Sequence, residues 1–122
     1  EFQFEAPSPE LKLNADRTQI EQVLINLLKN AREACNRKLD KNIQVKVKKL
    51  STGNTALTIS DNGEGILPDV LDKIFVPFFT TKTSGSGIGL SLCKQIMTLH
   101  EGSINVKSEV GKGSSFILTF PK

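Results

Sequence analysis

The 122-residue sequence predicts an α+β fold, a two-layer sandwich with helices on one face of a sheet. Three observations predict it. A long stretch near the N-terminus has helical apolar spacing, two pairs of short strands follow at different points of the chain, and a glycine-rich connection between the pairs is too long for an ordinary loop.

The chain begins extended or as a strand, with Pro7 and Pro9 close behind. Asp16 is the N-cap of a helix expected over roughly 16 to 37, because Ile20, Val23, Leu24, Leu27, Leu28, Ala31, Ala34 and Cys35 recur at helical spacing. Strands at about 43 to 49 and 55 to 61 form a hairpin around Ser51, Thr52, Gly53 and Asn54. Residues 62 to 86 hold Gly63, Gly65, Pro68, Pro77 and Gly85 among many Thr and Ser. Val70 to Phe75 can form a helical turn there, but a connection of this length is usually functional. Ile88, Leu92, Ile96 and Leu99 mark a second helix from about Gly87 to Leu99, and Gly102 stops it. Closing strands near 103 to 108 and 114 to 120 flank a turn with Gly111 and Gly113.

Composition fits one compact domain over residues 1–122, with 38% hydrophobic and 24% charged residues. No apolar run approaches the roughly 20 residues of a bilayer-spanning helix, and no basic-then-apolar leader opens the chain. A soluble, cytoplasmic domain without direct membrane contact is expected, although its parent can be membrane-anchored. Cys35 and Cys93 cannot build a disulfide framework, and a single histidine excludes a zinc cluster, so any metal is held by oxygen. The net charge of +3 is concentrated: Arg37, Lys38, Lys41, Lys46, Lys48 and Lys49 face only Asp40 between 37 and 49. Ile43, Val45 and Val47 alternate with Gln44, Lys46 and Lys48, so this charge reads as the wet face of a half-buried strand. Without Trp or Tyr no base-stacking platform is evident, and no nucleic-acid partner is expected.

Asn26 and Asn30 lie about 40° apart on the first helix, at the margin of its apolar stripe, where they can overlook a cavity. An amide oxygen is a neutral hard ligand suited to magnesium that already carries phosphate oxygens. Taken alone, such a pair is more often a solvated face. Asp61 shares a strand side with Leu57 and Ile59, so its carboxylate emerges into partly apolar surroundings and needs a partner. It would accept from adenine's 6-amine and repel guanine's 6-oxygen. Gly63 and Gly65 would let backbone approach a flat ring or adopt positive φ, although Asp-Asn-Gly is equally strong turn chemistry. Gly85, Gly87 and Gly89 open the second helix and expose N–H groups to an anion, but they match neither the P-loop nor the dinucleotide fingerprint. Between the glycine clusters, Phe75 reads as a core plug and Lys82 as a mobile cation on a hinged cover.

Together these pieces resemble the catalytic ATP-binding domain of sensor histidine kinases, within the Bergerat-fold family that includes gyrase-type and chaperone ATPases. Gln22 to Ala31 resembles the family's N box, Asp61 to Gly65 its first glycine box, and Phe75 to Lys82 its F box. Gly85 to Leu90 resembles the second glycine box, and Gly111 to Phe116 the glycine turn before the last strand. Each is modest alone; five in the right order are specific. The Pro77-Phe78-Phe79-Thr80-Thr81-Lys82 variant looks most like nitrogen-regulation-type kinases.

The resemblance implies a mixed, mostly antiparallel sheet backed by helices, with ATP between the helix layer and a lid over about 66 to 86. It implies Asn30 as the Mg²⁺ ligand, Asn26 as a polar wall of the phosphate site, and Asp61 as the adenine selector. Asn26 and Lys82 make up its catalytic set. Gly63, Gly65, Ile66, Phe79, Thr80, Thr81, Gly85, Gly87, Ile88, Gly89 and Leu90 complete the implied nucleotide-contacting set. Asn26 stands where hydrolytic relatives carry a general-base Glu, so water attack should be slow, as a phosphotransferase requires. Glu33 stands where many kinases carry a basic residue, which leaves Lys82, Lys29 and Arg32 as candidates for the phosphate-facing cation.

A phosphoacceptor histidine is not among these residues, because His100 reads as a helix-ending residue before Gly102. The chain is therefore expected to be a fragment, monomeric in isolation. The implied partners are a phosphoacceptor and dimerisation hairpin of the parent protein and the receiver domain of a response regulator. A Bergerat-type ATPase switch, an anti-sigma-type serine kinase and a non-catalytic nucleotide-sensing module are the competing readings.

Overall fold

The structure, a computed structural model, describes residues 2–5, 16–36, 39–77, 79 and 89–121. Its elements are β1 (Phe2–Glu5), α1 (Arg17–Ala34), β2 (Ile43–Lys49), β3 (Thr55–Asp61), α2 (Pro68–Leu71), α3 (Gly89–Leu99), β4 (Ser103–Glu109) and β5 (Gly113–Phe120). The five strands form one sheet in the order β1-β2-β3-β5-β4, with β1 parallel to β2 and every other pairing antiparallel. The expected α+β sandwich with a mixed, mostly antiparallel sheet is the observed architecture.

Alternation along the strands decides which face is covered. On β3, Thr55, Leu57 and Ile59 are buried, and on β5, Ser114, Phe116, Leu118 and Phe120 are. Of these, Leu57, Ile59, Phe116, Leu118 and Phe120 meet Ile20, Val23, Leu27 and Ala31 of α1 and Cys93, Ile96 and Met97 of α3 in one core. The opposite face carries Lys46, Lys48 and Lys107, all exposed, so the lysines of β2 are the wet side of a half-buried strand as the alternation predicts.

Helix α1 starts at the predicted cap: the Asp16 side chain accepts from Gln19 N at 3.0 Å. It ends three residues before the predicted boundary, and the reason is tertiary. The carbonyl of Ala34 accepts the N–H of Glu64 at 3.3 Å, while Cys35 N and Asn36 N turn back onto the Ala31 and Glu33 carbonyls. Helical spacing at Cys35 cannot reveal that the last carbonyl is taken by another part of the chain.

The stretch expected to open a lid at about 66 differs more. Ile74 is buried, and Ile66, Val70, Leu71 and Phe75 pack against the core. Lys94 Nζ of α3 sits 5.7 Å from the Phe75 ring centroid, and Phe75 plugs the core as predicted. Apolar spacing in this segment thus serves packing as far as Phe75, and only Val76, Pro77 and Phe79 of the described lid residues lie beyond it. The helical turn comes earlier than predicted, at Pro68–Leu71, because Pro68 presets its first position.

His100 joins the two main helices. Its Nε2 accepts the backbone N–H of Asp16 at 2.9 Å, which leaves Nδ1 to donate to the Ile96 carbonyl at 2.9 Å. A neutral ring protonated on Nδ1 therefore ties the end of α3 to the cap of α1. His100→Phe keeps an aromatic ring, slightly larger, and removes both bonds, so we expect a loss of about 1–2 kcal/mol in urea unfolding. An unchanged urea midpoint would mean that the ring only fills space.

Candidate functional site

The candidate site is built along one ridge of α1. Asn26, Asn30 and Ala34 follow one another at four-residue intervals, all half-buried, and span about 12 Å of helix axis. At the Asn26 end, Nδ2 is buried without a hydrogen-bond partner in the described structure. The same amide's Oδ1 lies 3.9 Å from where a Cβ on Gly89 would stand, so the amide faces the first described turn of α3. Beneath it, the Cys93 thiol is fully buried and directed at the Val23 carbonyl at 3.9 Å. Burial pushes this thiol up to about 11, with the neighbouring Asn26 amide pulling the other way, so Cys93 is an uncharged packing group at neutral pH.

The other end of the ridge meets the loop after β3. Asp61 ends that strand, and its Oδ1 accepts the N–H of Gly63 at 2.9 Å. Burial is the main influence on its carboxyl group and raises it above the ordinary aspartate value, while the N–H groups of Gly63 and Ser114 offset part of that rise. Asn62 anchors the same loop from outside: its Nδ2 donates to the Asp40 carbonyl at 2.6 Å, and its Oδ1 accepts from Asn42 N at 2.9 Å and Cys35 Sγ at 3.4 Å. Gly63 has a packing reason of its own, since a Cβ there would come within 2.5 Å of the Ala34 carbonyl oxygen. Gly65 adopts φ +79°, and a Cβ would meet the Glu109 carbonyl oxygen at 2.3 Å. Both glycines thus admit close chain-to-chain approach, whatever else they face.

Asn26, Asn30, Asp61, Gly63 and Gly89 are thereby tied to one ridge. Gly65 and Ile66 join the β4–β5 hairpin, and the half-buried side chains of Ile66 and Leu90 pack against the core. Phe79 is half-buried. Thr80, Thr81, Lys82, Gly85, Gly87 and Ile88 lie outside the described residues, as does Phe78. The other two candidate cations, Lys29 and Arg32, are exposed on α1. A depression of about 250 Å³ at the C-terminal end of α1 is lined by Glu33, Ala34, Asn36 and Glu64, and its two carboxylates make it unsuited to phosphate. Sequence reasoning missed Asn62, Ser108 and Ser114 as supports of the Asp61 loop. The available signal was alternation, which puts Ser108 with Ile104 and Val106, and Ser114 with Phe116 and Leu118, on the core-facing side of their strands.

A sheet covered on one face by two long helices, with an acid at a strand end beside a ridge of amides, defines a class. The chain belongs to the histidine kinase-, DNA gyrase B- and HSP90-like ATPase family, which it matches over residues 15–122. Among individual relatives, it is 40% identical over 121 residues to the sensor histidine kinase ZraS of Salmonella typhimurium, covering 99% of this chain and 26% of that protein. The chain thus spans about a quarter of the length of that curated relative. Among solved structures, the catalytic domain of histidine kinase ThkA superposes with a TM-score of 0.87 at 37% identity, covering 100% of this chain and 80% of that one. ThkA in complex with response regulator protein TrrA gives 0.80 at 36%, covering 100% and 34%. Full-length ShkA in complex with AMPPNP gives 0.85 at 26%, covering 99% and 25%.

The Asp61 environment sets a sign for stability against pH. A carboxyl raised by folding stabilises most fully below its unfolded-state value, and that contribution is lost as pH rises through the higher folded-state value. Asp61→Asn carries no such loss, so the nucleotide-free variant should gain in urea midpoint relative to the parent as pH rises from 3 toward 7. A difference constant with pH would remove burial of the charge as the cause.

Proposed function

We propose that this domain binds Mg-ATP along the α1 ridge and donates the γ-phosphoryl group to a histidine on a helical hairpin of its parent protein. The observation that carries the reading is the buried Nδ2 of Asn26, a donor that makes no hydrogen bond among the described residues and has only the weakly accepting Cys93 sulfur beside it. At the opposite end of the ridge stands a half-buried carboxylate. The two groups fit the two ends of an adenine nucleotide, with the adenine 6-amine donating to Asp61 and a phosphate oxygen accepting from Asn26. The bound nucleotide in ShkA and the family match at 15–122 support ATP as the ligand.

Asn30 is the residue to hold Mg²⁺, because its neutral amide oxygen adds a ligand without repelling phosphates. The metal supplies charge neutralisation when bound. Gly85, Gly87 and Gly89 offer backbone N–H groups to the phosphates, and Lys82 offers a cation from a lid over about 66 to 86. Asn26 is a poor proton acceptor, so no side chain of the described ridge activates water, and the bound nucleotide is held for transfer rather than hydrolysis. Positioning and charge neutralisation are then the main sources of catalysis.

The complex of ThkA with TrrA supports a response regulator as the later phosphate acceptor. No helix among the described residues is long and apolar enough to cross a membrane, which suits a domain acting on the cytoplasmic side of a larger sensor. We further propose that residues 1–122 form one domain of that sensor, monomeric when isolated.

Calorimetric titration with a non-hydrolysable ATP analogue, with and without Mg²⁺ and against the GTP counterpart, tests the reading. Tight, magnesium-dependent binding of the adenine form alone is expected; indifference to adenosine phosphates at millimolar dose would overturn it. Asn30→Ala should abolish the magnesium dependence while leaving the urea midpoint within about 1 kcal/mol. Supplied with a phosphoacceptor hairpin, the domain should label histidine in an acid-labile form. Acid-stable label would point instead to a serine kinase.

A further inference from the structure

We infer that Ser108 is a positioning residue for adenine recognition: its hydroxyl holds the far end of the Asp61–Ile66 loop in register with the Asp61 carboxylate. The inference rests on the nucleotide reading above and goes beyond it by assigning a role to a side chain on β4, one strand removed from any box in the sequence.

Strand register puts Ile43, Asp61, Ser114 and Ser108 in one row across the helix-side face of the sheet. Within that row the loop is tied down twice. At its start, Asp61 pairs with Ser114 in the strand register, and its carboxylate accepts the Gly63 N–H at 2.9 Å. At its end, the N–H of Ile66 donates to Ser108 Oγ at 2.8 Å. The Ser108 hydroxyl has one proton of its own, and two acceptors stand within reach, the Gly113 carbonyl at 3.1 Å and Ser114 Oγ at 2.8 Å. Ser108 therefore links Ile66 to the same Gly113–Ser114 segment that holds Asp61. A third tie, from Gly111 N to the Glu64 carbonyl at 2.9 Å, runs through backbone alone.

The consequence follows from which of these ties a side chain carries. Glu64 and Gly111 act through the main chain and survive substitution. The Ile66 bond exists only while residue 108 has a hydroxyl. Without it, a half-buried Ile66 N–H loses its acceptor, and the Gly63 to Gly65 stretch loses the tie at its Ile66 end while keeping those made by Gly63 N and by the Glu64 N–H and carbonyl. Asp61 keeps its backbone donors, so its carboxylate stays while the glycines beside it loosen. Selection between purines depends on that relative placement, and discrimination should fail before general phosphate binding does.

A matched control lies on the other face of the sheet. Ser60 Oγ and Ser115 Oγ are also 2.8 Å apart and half-buried, in a pair that touches neither Ile66 nor Asp61 in any described bond. Ser108→Ala, Ser108→Thr and Ser115→Ala are compared in the 122-residue chain. The probes are the non-hydrolysable ATP analogue and its GTP counterpart, with amide hydrogen exchange of the nucleotide-free protein alongside. Ser108→Ala should weaken ATP-analogue binding about tenfold and leave the weak GTP-analogue affinity unchanged, the size expected for one lost hydrogen bond. Exchange at Ile66 and at Gly63 to Gly65 should speed up by a similar factor, Ser108→Thr should restore both, and Ser115→Ala should change neither.

A lower melting temperature for Ser108→Ala with an unchanged purine preference and unchanged exchange at Ile66 would make Ser108 merely structural and overturn the inference. Should the parent chain bind neither analogue, the nucleotide reading fails by itself. The exchange comparison then decides the loop anchor alone, and unchanged exchange in Ser108→Ala overturns it.

Discussion

The arrangement depends on a backbone contact between two segments that are 30 residues apart: the Ala34 carbonyl at the end of α1 accepts the Glu64 N–H, and Gly63 lies flat against it. Any side chain at position 63 would force these apart, since the ideal Cβ position falls within 2.8 Å of three Ala34 atoms. The contact ends the helix, turns the chain out of β3, and fixes the spacing between the Asp61 carboxylate and the amides of Asn26 and Asn30. A helix interface made of side chains alone tolerates small slides. A carbonyl-to-amide bond across a glycine does not, so the two chemical ends of the ridge are set by backbone geometry.

Regular elements were legible because alternation and helical spacing are local properties. The strand limits at 43 to 49 and 55 to 61 coincide with the observed ones, as does the Asp16 cap. What was not legible depended on distant partners. The α1 end was placed too late because Cys35 fits the apolar stripe, and nothing local says that Glu64 occupies the final carbonyl. Within the stretch expected as a lid, Gly, Pro and Thr content suggests a loop, whereas Ile66, Val70, Leu71, Ile74 and Phe75 pack on the core. Ser108 and Ser114 carried a weak signal as hydroxyls on the core-facing side of apolar strands, but their partners depend on a strand register that only the folded sheet supplies.

Glycines in the 61–65 segment illustrate how one residue type satisfies two demands. The sequence suggests that Gly63 and Gly65 leave room for a flat ring; the fold requires the same two positions for chain crossings at Ala34 and Glu109. In the ligand-free fold Gly63 is buried and Gly65 half-buried, so Gly65 is the more accessible of the two. Rigidity follows from the chain crossings. Asn62 adds to it by spending its side-chain amide on the 40–42 turn, which keeps that bulk outside the ridge.

The amide at position 26 has a cost and a purpose that follow from the same burial. A buried N–H without a partner is unfavourable by about 1–3 kcal/mol, and among the described residues Asn26 Nδ2 has none, beside the first described turn of α3. An incoming anion relieves that penalty, and its binding gains accordingly. A carboxylate at this position would reverse the effect, repelling phosphate and supplying a base for water. On the proposed reading, the neutral side chain favours retention of the triphosphate and disfavours its hydrolysis at once. Asp61 works in the opposite sense at the other end, where a carboxylate raised by burial is costly when charged and is relieved by a donor. In the proposed complex, a buried donor without an acceptor among the described residues and a carboxyl raised by burial would let a ligand with an amine at one end and phosphates at the other stabilise the fold from both ends together.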